Sequence, residues 1–258
     1  MPYIKTIVDC GHMIEVYKYY APNYSKKRSR GEKVKEATEA MKKVNLDHAA
    51  RKLNWLISCN FGKGDLHVTL TYGGSEPDPK EAKANLAKFH RAARAYFKKA
   101  GKEYKYIAVT EYQAKRTHHH IIMPGLPVED LQALWPHGRP RITALDANGQ
   151  YSQLAEYLIK ETERTFRDED APSKKRWSAS KNLKQPMIIR EVIESKKWTT
   201  NPKAPKGWYI EGNEVTNRVN EFDGLPMQFY RLMRLEEEHE RKKAGKGRSG
   251  APPTSRRG

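Results

Sequence analysis

The sequence predicts an α+β fold: an antiparallel sheet with a ferredoxin-like (RRM-like) β-α-β-β-α-β core, a helical N-terminal extension and a basic C-terminal tail. Three observations lead there. Between residues 65 and 145 the apolar period switches between two and 3.6 in that order. Ahead of it stands a long helical pattern with Val34, Ala37, Met41, Val44, Ala49, Leu53 and Leu56 at threes and fours. After Lys242 the chain turns to Gly, Ser, Pro and Arg, too poor in apolar residues to order itself.

The elements follow in turn. Asp65 to Tyr72 alternates, with Leu66, Val68, Leu70 and Tyr72 on one face and His67, Thr69 and Thr71 on the other, so it reads as a half-buried strand ended by Gly73-Gly74. Pro79 to Lys99 reads as a helix with Leu86, Phe89, Ala93 and Tyr96 inward and a basic outer face. Tyr104 to Glu111 and Thr117 to Met123 form a hairpin across a short polar segment. A short helix follows, opened by Pro127, with Glu129 and Asp130 at its positive end and Pro136 stopping it. Arg139 to Leu145 is a fourth strand, and Tyr151 to Phe166 a further helix. With helices on one face of the sheet, the other face is left for a site. Beyond, Met187 to Ile193 and Trp208 to Glu211 are strand-like, and Met227 to Lys243 is helical. The expected division is 1–64 (extension with the long helix), 65–195 (core), 196–240 (an extension packing on the core) and 241–258 (disordered basic tail).

Charge narrows the partner. The 258 residues carry 49 Lys plus Arg against 31 Asp plus Glu, a net +18. The tail from Arg241 onward holds seven of these cations and no acid, so the rest of the chain still carries +11. Such a field favours a polyanion. No apolar run approaches a membrane span, and no lipidation signal or strongly apolar amphipathic face is present, so nucleic acid is the expected partner and no membrane is. Cys10 and Cys59 alone make neither a disulfide framework nor a zinc knuckle, which fits a reducing cytoplasm.

The hairpin carries the first chemistry. Side chains alternate, so Ile107, Val109 and Glu111 share a face, as do His118, His120 and Ile122. If Glu111 pairs with His118, Val109 falls opposite His120 and Ile107 opposite Ile122, and the polar residues cluster at one end. Cross-strand neighbours stand ~5 Å apart, so Glu111, His118 and His120 can converge on one divalent ion with positions left open for water and substrate. His119 faces the other way. On the helix from Tyr151, the residues Leu154, Ala155, Leu158 and Ile159 make an apolar stripe with Tyr151, whereas Tyr157 and Lys160 lie well off it. A phenol titrates near 10, so a cation one turn away would help Tyr157 act as a nucleophile.

Taken together, Thr69-Leu70-Thr71 on a strand, Glu111 ahead of His118-His119-His120, and Tyr157-x-x-Lys160 on a later helix resemble the motifs of rolling-circle replication initiators of the His-hydrophobic-His (HUH) endonuclease superfamily, of phage, plasmid or prophage-like type. Trp177-Ser178-Ala179-Ser180-Lys181-Asn182-Leu183 is similar to a segment after the tyrosine helix in the prophage-like group. The resemblance covers about residues 65 to 195, which would be the HUH endonuclease core. His119 departs from it by standing where a bulky hydrophobic residue is usual, and only one tyrosine is suitably placed. The resemblance implies that Glu111, His118 and His120 hold Mg²⁺ or Mn²⁺, which polarises the scissile phosphate. Tyr157 attacks it, leaving a 5′-phosphotyrosyl enzyme and a free 3′-hydroxyl, and Lys160 offsets the charge.

Expected DNA contacts are Thr69, Thr71, Lys115, Arg116, Lys174, Lys175, Arg176, Trp177 and Lys181. The partner would be single-stranded DNA at a replication origin in a bacterial cytoplasm, with helicase and polymerase borrowed from the host, since no Gly-x-x-x-x-Gly-Lys-Ser/Thr loop is present. A single-tyrosine transposase or relaxase of the same superfamily, or a non-catalytic DNA-binding regulator, is the alternative reading. Metal-dependent cleavage of a single strand separates the last from the others.

Overall fold

In the computed structural model, residues 2–20, 39–112, 116–146, 151–163, 175–220 and 224–235 are described. The elements run β1 (Tyr3–Asp9), β2 (Met13–Tyr19), α1 (Glu39–Ser58), β3 (Leu66–Thr71), α2 (Pro79–Lys99), β4 (Ile107–Glu111), β5 (His118–Met123), α3 (Val128–Leu134), β6 (Arg141–Ala144), α4 (Ser152–Glu161), β7 (Ser178–Ala179), β8 (Met187–Ile193), β9 (Trp208–Val219) and β10 (Pro226–Arg234). The fold is α+β, with two antiparallel five-stranded sheets. The chain divides into two compact units, residues 1–29 with 187–258, and residues 30–186.

In the unit of residues 30–186 the sheet order is β6-β3-β5-β4-β7, so the expected β-α-β-β-α-β succession is present with β7 added beside β4. Both faces of this sheet are covered, not one. Val68, Leu70, Tyr72, Ala108, Ile121 and Met123 pack on one side with Phe89, Ala93 and Phe97 of α2 and Leu131 of α3. On the other, Ile107, Val109 and Ile122 meet Leu53, Leu56 and Ile57 of α1 and Ala155, Leu158 and Ile159 of α4. The long helix of the N-terminal segment is thus part of this unit's core. Its buried residues begin at Ala50, and Met41 is exposed. The second layer covers only the apolar end of β4 and β5, because those strands turn polar toward Glu111 and His118.

Asp78 caps α2 by accepting from the backbone N–H groups of Lys80 (2.7 Å) and Glu81 (2.9 Å). The inward face of that helix is rotated from the expected one, with Ala82, Asn85, Phe89, His90, Ala93 and Phe97 buried and Leu86 and Tyr96 at its margins. His90 stacks on Tyr106 at 3.8 Å and its Nδ1 lies 2.9 Å from the Tyr104 hydroxyl. Burial pushes its imidazole down to about 4, below the ~6.5 of an unfolded chain. The neutral ring is therefore the native form, and its stabilising contribution is whole above 6.5 and is lost as pH falls toward 4. His90→Phe should accordingly lose about 2 kcal/mol less stability than the parent between pH 7 and pH 5, read from urea midpoints.

Gly138 shows how tightly the end of β3 is held. A Cβ there would lie 2.2 Å from the Thr71 carbonyl oxygen, and Trp135 donates its indole N–H to that same oxygen at 2.8 Å. The 135–138 turn thus clamps the strand that carries Thr69 and His67.

The other unit has sheet order β8-β1-β2-β10-β9. Two sequence expectations change here. The first 20 residues contain a hairpin, β1 with β2, that periodicity did not reveal, and Pro226–Arg234 is a strand where a helix over 227–243 was expected, residues 236–243 lying outside the described ones. The physical reason is that polar residues occupy buried strand positions. Glu15 is 1% exposed and is held by Arg231 at 2.8 Å and the Tyr17 hydroxyl at 2.5 Å. Gln228 is wholly buried and donates to Thr199 and Thr200 carbonyls and to Asn217 Oδ1. Burial alternates along Gln228, Tyr230 and Leu232, a period of two that apolarity alone conceals.

Candidate metal and nucleophile site

The β4–β5 register is Glu111 with His118, Val109 with His120 and Ile107 with Ile122, the pairing that clusters the polar residues at one end. On the other side of β5, β3 sets Thr71 opposite His118, Thr69 opposite His120 and His67 opposite Ile122. One sheet face therefore carries Glu111, His118, His120, Thr69 and His67 at the end that the helical layer leaves open. Glu111, His118 and His120 each offer a ligand atom, all within 4.8 Å of one another. Glu111 Oε2 and His118 Nε2 stand 3.1 Å apart.

The imidazoles are held by their far nitrogens. His118 donates Nδ1–H to the Arg116 carbonyl (2.9 Å), which leaves the Nε2 lone pair toward Glu111. His120 Nδ1 lies 3.2 Å from Thr69 Oγ1 and 3.1 Å from His67 Nε2, while its Nε2 is buried with no hydrogen-bond partner among the described residues. A buried nitrogen with its opposite edge engaged is free to serve as a ligand atom. Burial, reinforced by the neighbouring imidazoles, pushes His120 down to about 3, and burial pushes His67 to about 4, so both are neutral near pH 7. The two imidazoles of His118 and His120 and the Glu111 carboxylate make a donor set that fits a divalent transition ion or Mg²⁺, with further positions left for oxygen ligands.

His67 is the residue that sequence reading did not place in this group. Its ring stacks on His120 at 5.2 Å. The only signal for it was its place on the same face of the strand as Thr69 and Thr71.

His119 points the opposite way. It is fully buried, with Nε2 2.9 Å from the Tyr72 hydroxyl and Nδ1 2.8 Å from Thr110 Oγ1. His119→Ala should leave Mn²⁺ affinity, measured by calorimetry, near the parent value. It should cost about 2 kcal/mol or more of stability in urea unfolding, since it vacates a packed site and strips two hydroxyls of a partner.

Tyr157 comes from α4, whose Leu158 and Ile159 are buried while Tyr157 is 44% exposed. Its ring meets that of His120 edge-on, with centroids 5.4 Å apart. Burial, then the carboxylates of Glu161 and Glu111, raise its hydroxyl above the ordinary value. Lys160 follows one turn on and is exposed. Tyr151, at the start of α4, is 4% exposed, donates to the Asp146 carbonyl at 3.2 Å and is pushed up to about 12 by burial.

The expected DNA contacts scatter more widely. Thr69 is occupied with His120, and Thr71 donates to the Arg139 carbonyl at 2.9 Å. Arg116 donates to the Gly74 carbonyl. Trp177 packs partly buried against the core under α1 and α4, which removes much of its face from stacking. Arg176 is half-buried, and Lys175 and Lys181 are exposed. Lys181 shares a basic hollow of about 750 Å³ with Arg94, Lys98 and Lys102. Lys115 and Lys174 lie outside the described residues, as do the 26–30 charge run and the tail from 241.

Among the described residues no helix is long and apolar enough to cross a membrane. Residues 65–162 match the model of one protein family, Replication-associated protein ORF2/G2P. That segment begins one residue before β3 and ends one residue after α4, and so contains His67, Thr69, Glu111, His118, His120, Tyr157 and Lys160. Neither a curated protein nor a solved structure matches the chain.

Proposed function

We propose, from the similarity of residues 65–162 to the Replication-associated protein ORF2/G2P family, that this chain is an HUH endonuclease that nicks single-stranded origin DNA and initiates rolling-circle replication. The observation that carries the reading is the meeting of Glu111, His118 and His120 with the exposed ring of Tyr157 on one open sheet end. A transition from metal ligands to a phenol within one ring contact suits transesterification of a phosphodiester better than passive DNA binding.

The residues would act as follows. Glu111, His118 and His120 would hold the divalent ion, which supplies charge neutralisation at a phosphate oxygen. Tyr157 Oη would form the new bond to phosphorus as the bond to the 3′-oxygen breaks, giving a 5′-phosphotyrosine and a 3′-hydroxyl. The phenol proton must leave, and its pKa is raised by burial and by two carboxylates, so it is neutral in the metal-free protein. A divalent ion held at Glu111 would offset that carboxylate's contribution, and Lys160, one turn on, would add positive charge, both favouring the phenolate. His67 and Thr69 would hold His120 in the tautomer that presents Nε2.

The same constellation would serve a transposase or relaxase of the superfamily, but the family match is to a replication-associated protein, which favours initiation. The test is incubation of the full chain with single-stranded DNA from the encoding element, with Mn²⁺, Mg²⁺ or EDTA. A covalent adduct that forms only with metal and maps to the peptide holding Tyr157 is expected. Metal-independent binding with no cleavage would leave a DNA-binding regulator instead.

A further inference from the structure

The unit formed by residues 1–29 and 187–258 lies outside the family match and holds none of the residues above. At one end of its sheet, where β9 turns into β10, a cavity of about 400 Å³ opens between Tyr20, Trp198, Lys197, Thr200, Arg218 and Met227. This volume lies in the range of small-ligand pockets, ~300–1,000 Å³. No acidic side chain among the described residues lines it.

The walls are fixed by their own hydrogen bonds. Gln228, wholly buried, donates to the Thr199 and Thr200 carbonyls and to Asn217 Oδ1. Asn217 returns a bond to the Thr200 carbonyl at 2.9 Å, so the backbone beside Trp198 is tied to β9 and β10. Trp198 is itself braced, its ring 5.1 Å from Tyr20 at 32° and 5.0 Å from Tyr3 at 73°. Tyr20 is in turn anchored by its hydroxyl donating to the Lys196 carbonyl at 2.5 Å. The result is a rigid, part-exposed aromatic wall with the exposed cations Lys197 and Arg218 at its rim.

We infer that this pocket binds one nucleotide of single-stranded DNA, with the base against Trp198 and Tyr20 and the flanking phosphates at Lys197 and Arg218. Aromatic stacking needs a base face that a duplex keeps covered, so the ligand is an unpaired strand. The pocket's one lining amide, Asn217, is spent on the Thr200 carbonyl and on the buried Gln228 behind it. Recognition therefore rests on stacking and charge, and the site tolerates any base. The inference depends on the DNA reading above for its ligand but not on the nicking chemistry.

The test uses the full chain and a single-stranded oligonucleotide carrying 5-iodo-2′-deoxyuridine. Photo-crosslinking should attach it to a peptide containing Trp198 or Tyr20. Lys197→Ala/Arg218→Ala, which alters exposed residues only, should weaken binding and make the slope of log K against log salt shallower by about 1.4, at ~0.7 per phosphate. Trp198→Leu should weaken binding roughly 10-fold. Unchanged affinity and salt slope in the double variant, with crosslinks confined to residues 65–186, would overturn the pocket's role even if the parent nicks DNA normally. A parent that crosslinks at Trp198 but never nicks would instead defeat the endonuclease proposal and leave the pocket standing.

Discussion

Tyr157→Phe protein should bind single-stranded origin DNA with the parent's affinity and form no covalent adduct, with nicking reduced by about three orders of magnitude or more. The substitution removes only the attacking oxygen. The ring that meets His120 edge-on at 5.4 Å is retained, and a residue 44% exposed gives up little packing. Tyr151→Phe is the control. Its hydroxyl is spent on the Asp146 carbonyl and its ring is buried beneath α4, so it should cost some stability and leave the adduct intact. Denaturing electrophoresis of the protein–oligonucleotide product, with peptide mapping, reads both. An adduct that persists in Tyr157→Phe and vanishes in Tyr151→Phe would reverse the assignment.

The core of residues 30–186 was legible because its strands obey the simplest rule: apolar residues at every second position on the face that meets α2, and a polar end on β4 and β5. The same rule put Glu111, His118 and His120 on one face, and the Glu111–His118 pairing considered there is the one observed. What it could not show is coverage. Ile107, Val109 and Ile122 form an apolar patch on the site's own face, and that patch requires α1 and α4, yet nothing local says which helices supply it. His67 was hidden for a related reason, since its nearness to His120 depends on the β3–β5 pairing between residues more than fifty apart. In the other unit the failure was of composition. A strand that buries Gln228 with its amide N–H groups bonded, or Glu15 on Arg231, does not look buried to a count of apolar residues. Trp177, an aromatic within a basic segment that suggested stacking, packs partly buried against the core.

Removing metal ligands should separate the members of the site by what each imidazole edge does. His118→Ala and His120→Ala each delete a lone pair that the group directs at the ion, and should abolish measurable Mn²⁺ binding and nicking together. His67→Ala deletes no ligand atom of that trio. It removes the ring stacked on His120 and one of the two partners of His120 Nδ1, leaving Thr69 Oγ1 at 3.2 Å as the other. Loss of such an orienting contact costs ~10- to 100-fold in metal affinity, so His67→Ala should bind Mn²⁺ more weakly but still saturate, and nicking should recover at high Mn²⁺. Thr69→Val should behave alike and the double variant worse, because together they free the tautomer and rotation of His120. Calorimetric titration followed by nicking at saturating metal distinguishes the roles. If His67→Ala abolishes binding as completely as His120→Ala, then His67 is itself a ligand and the ion sits deeper toward β3 than Glu111, His118 and His120 alone would hold it. If instead affinity is unchanged, the stacked ring has no part in setting the His120 edge, and Thr69 orients it unaided.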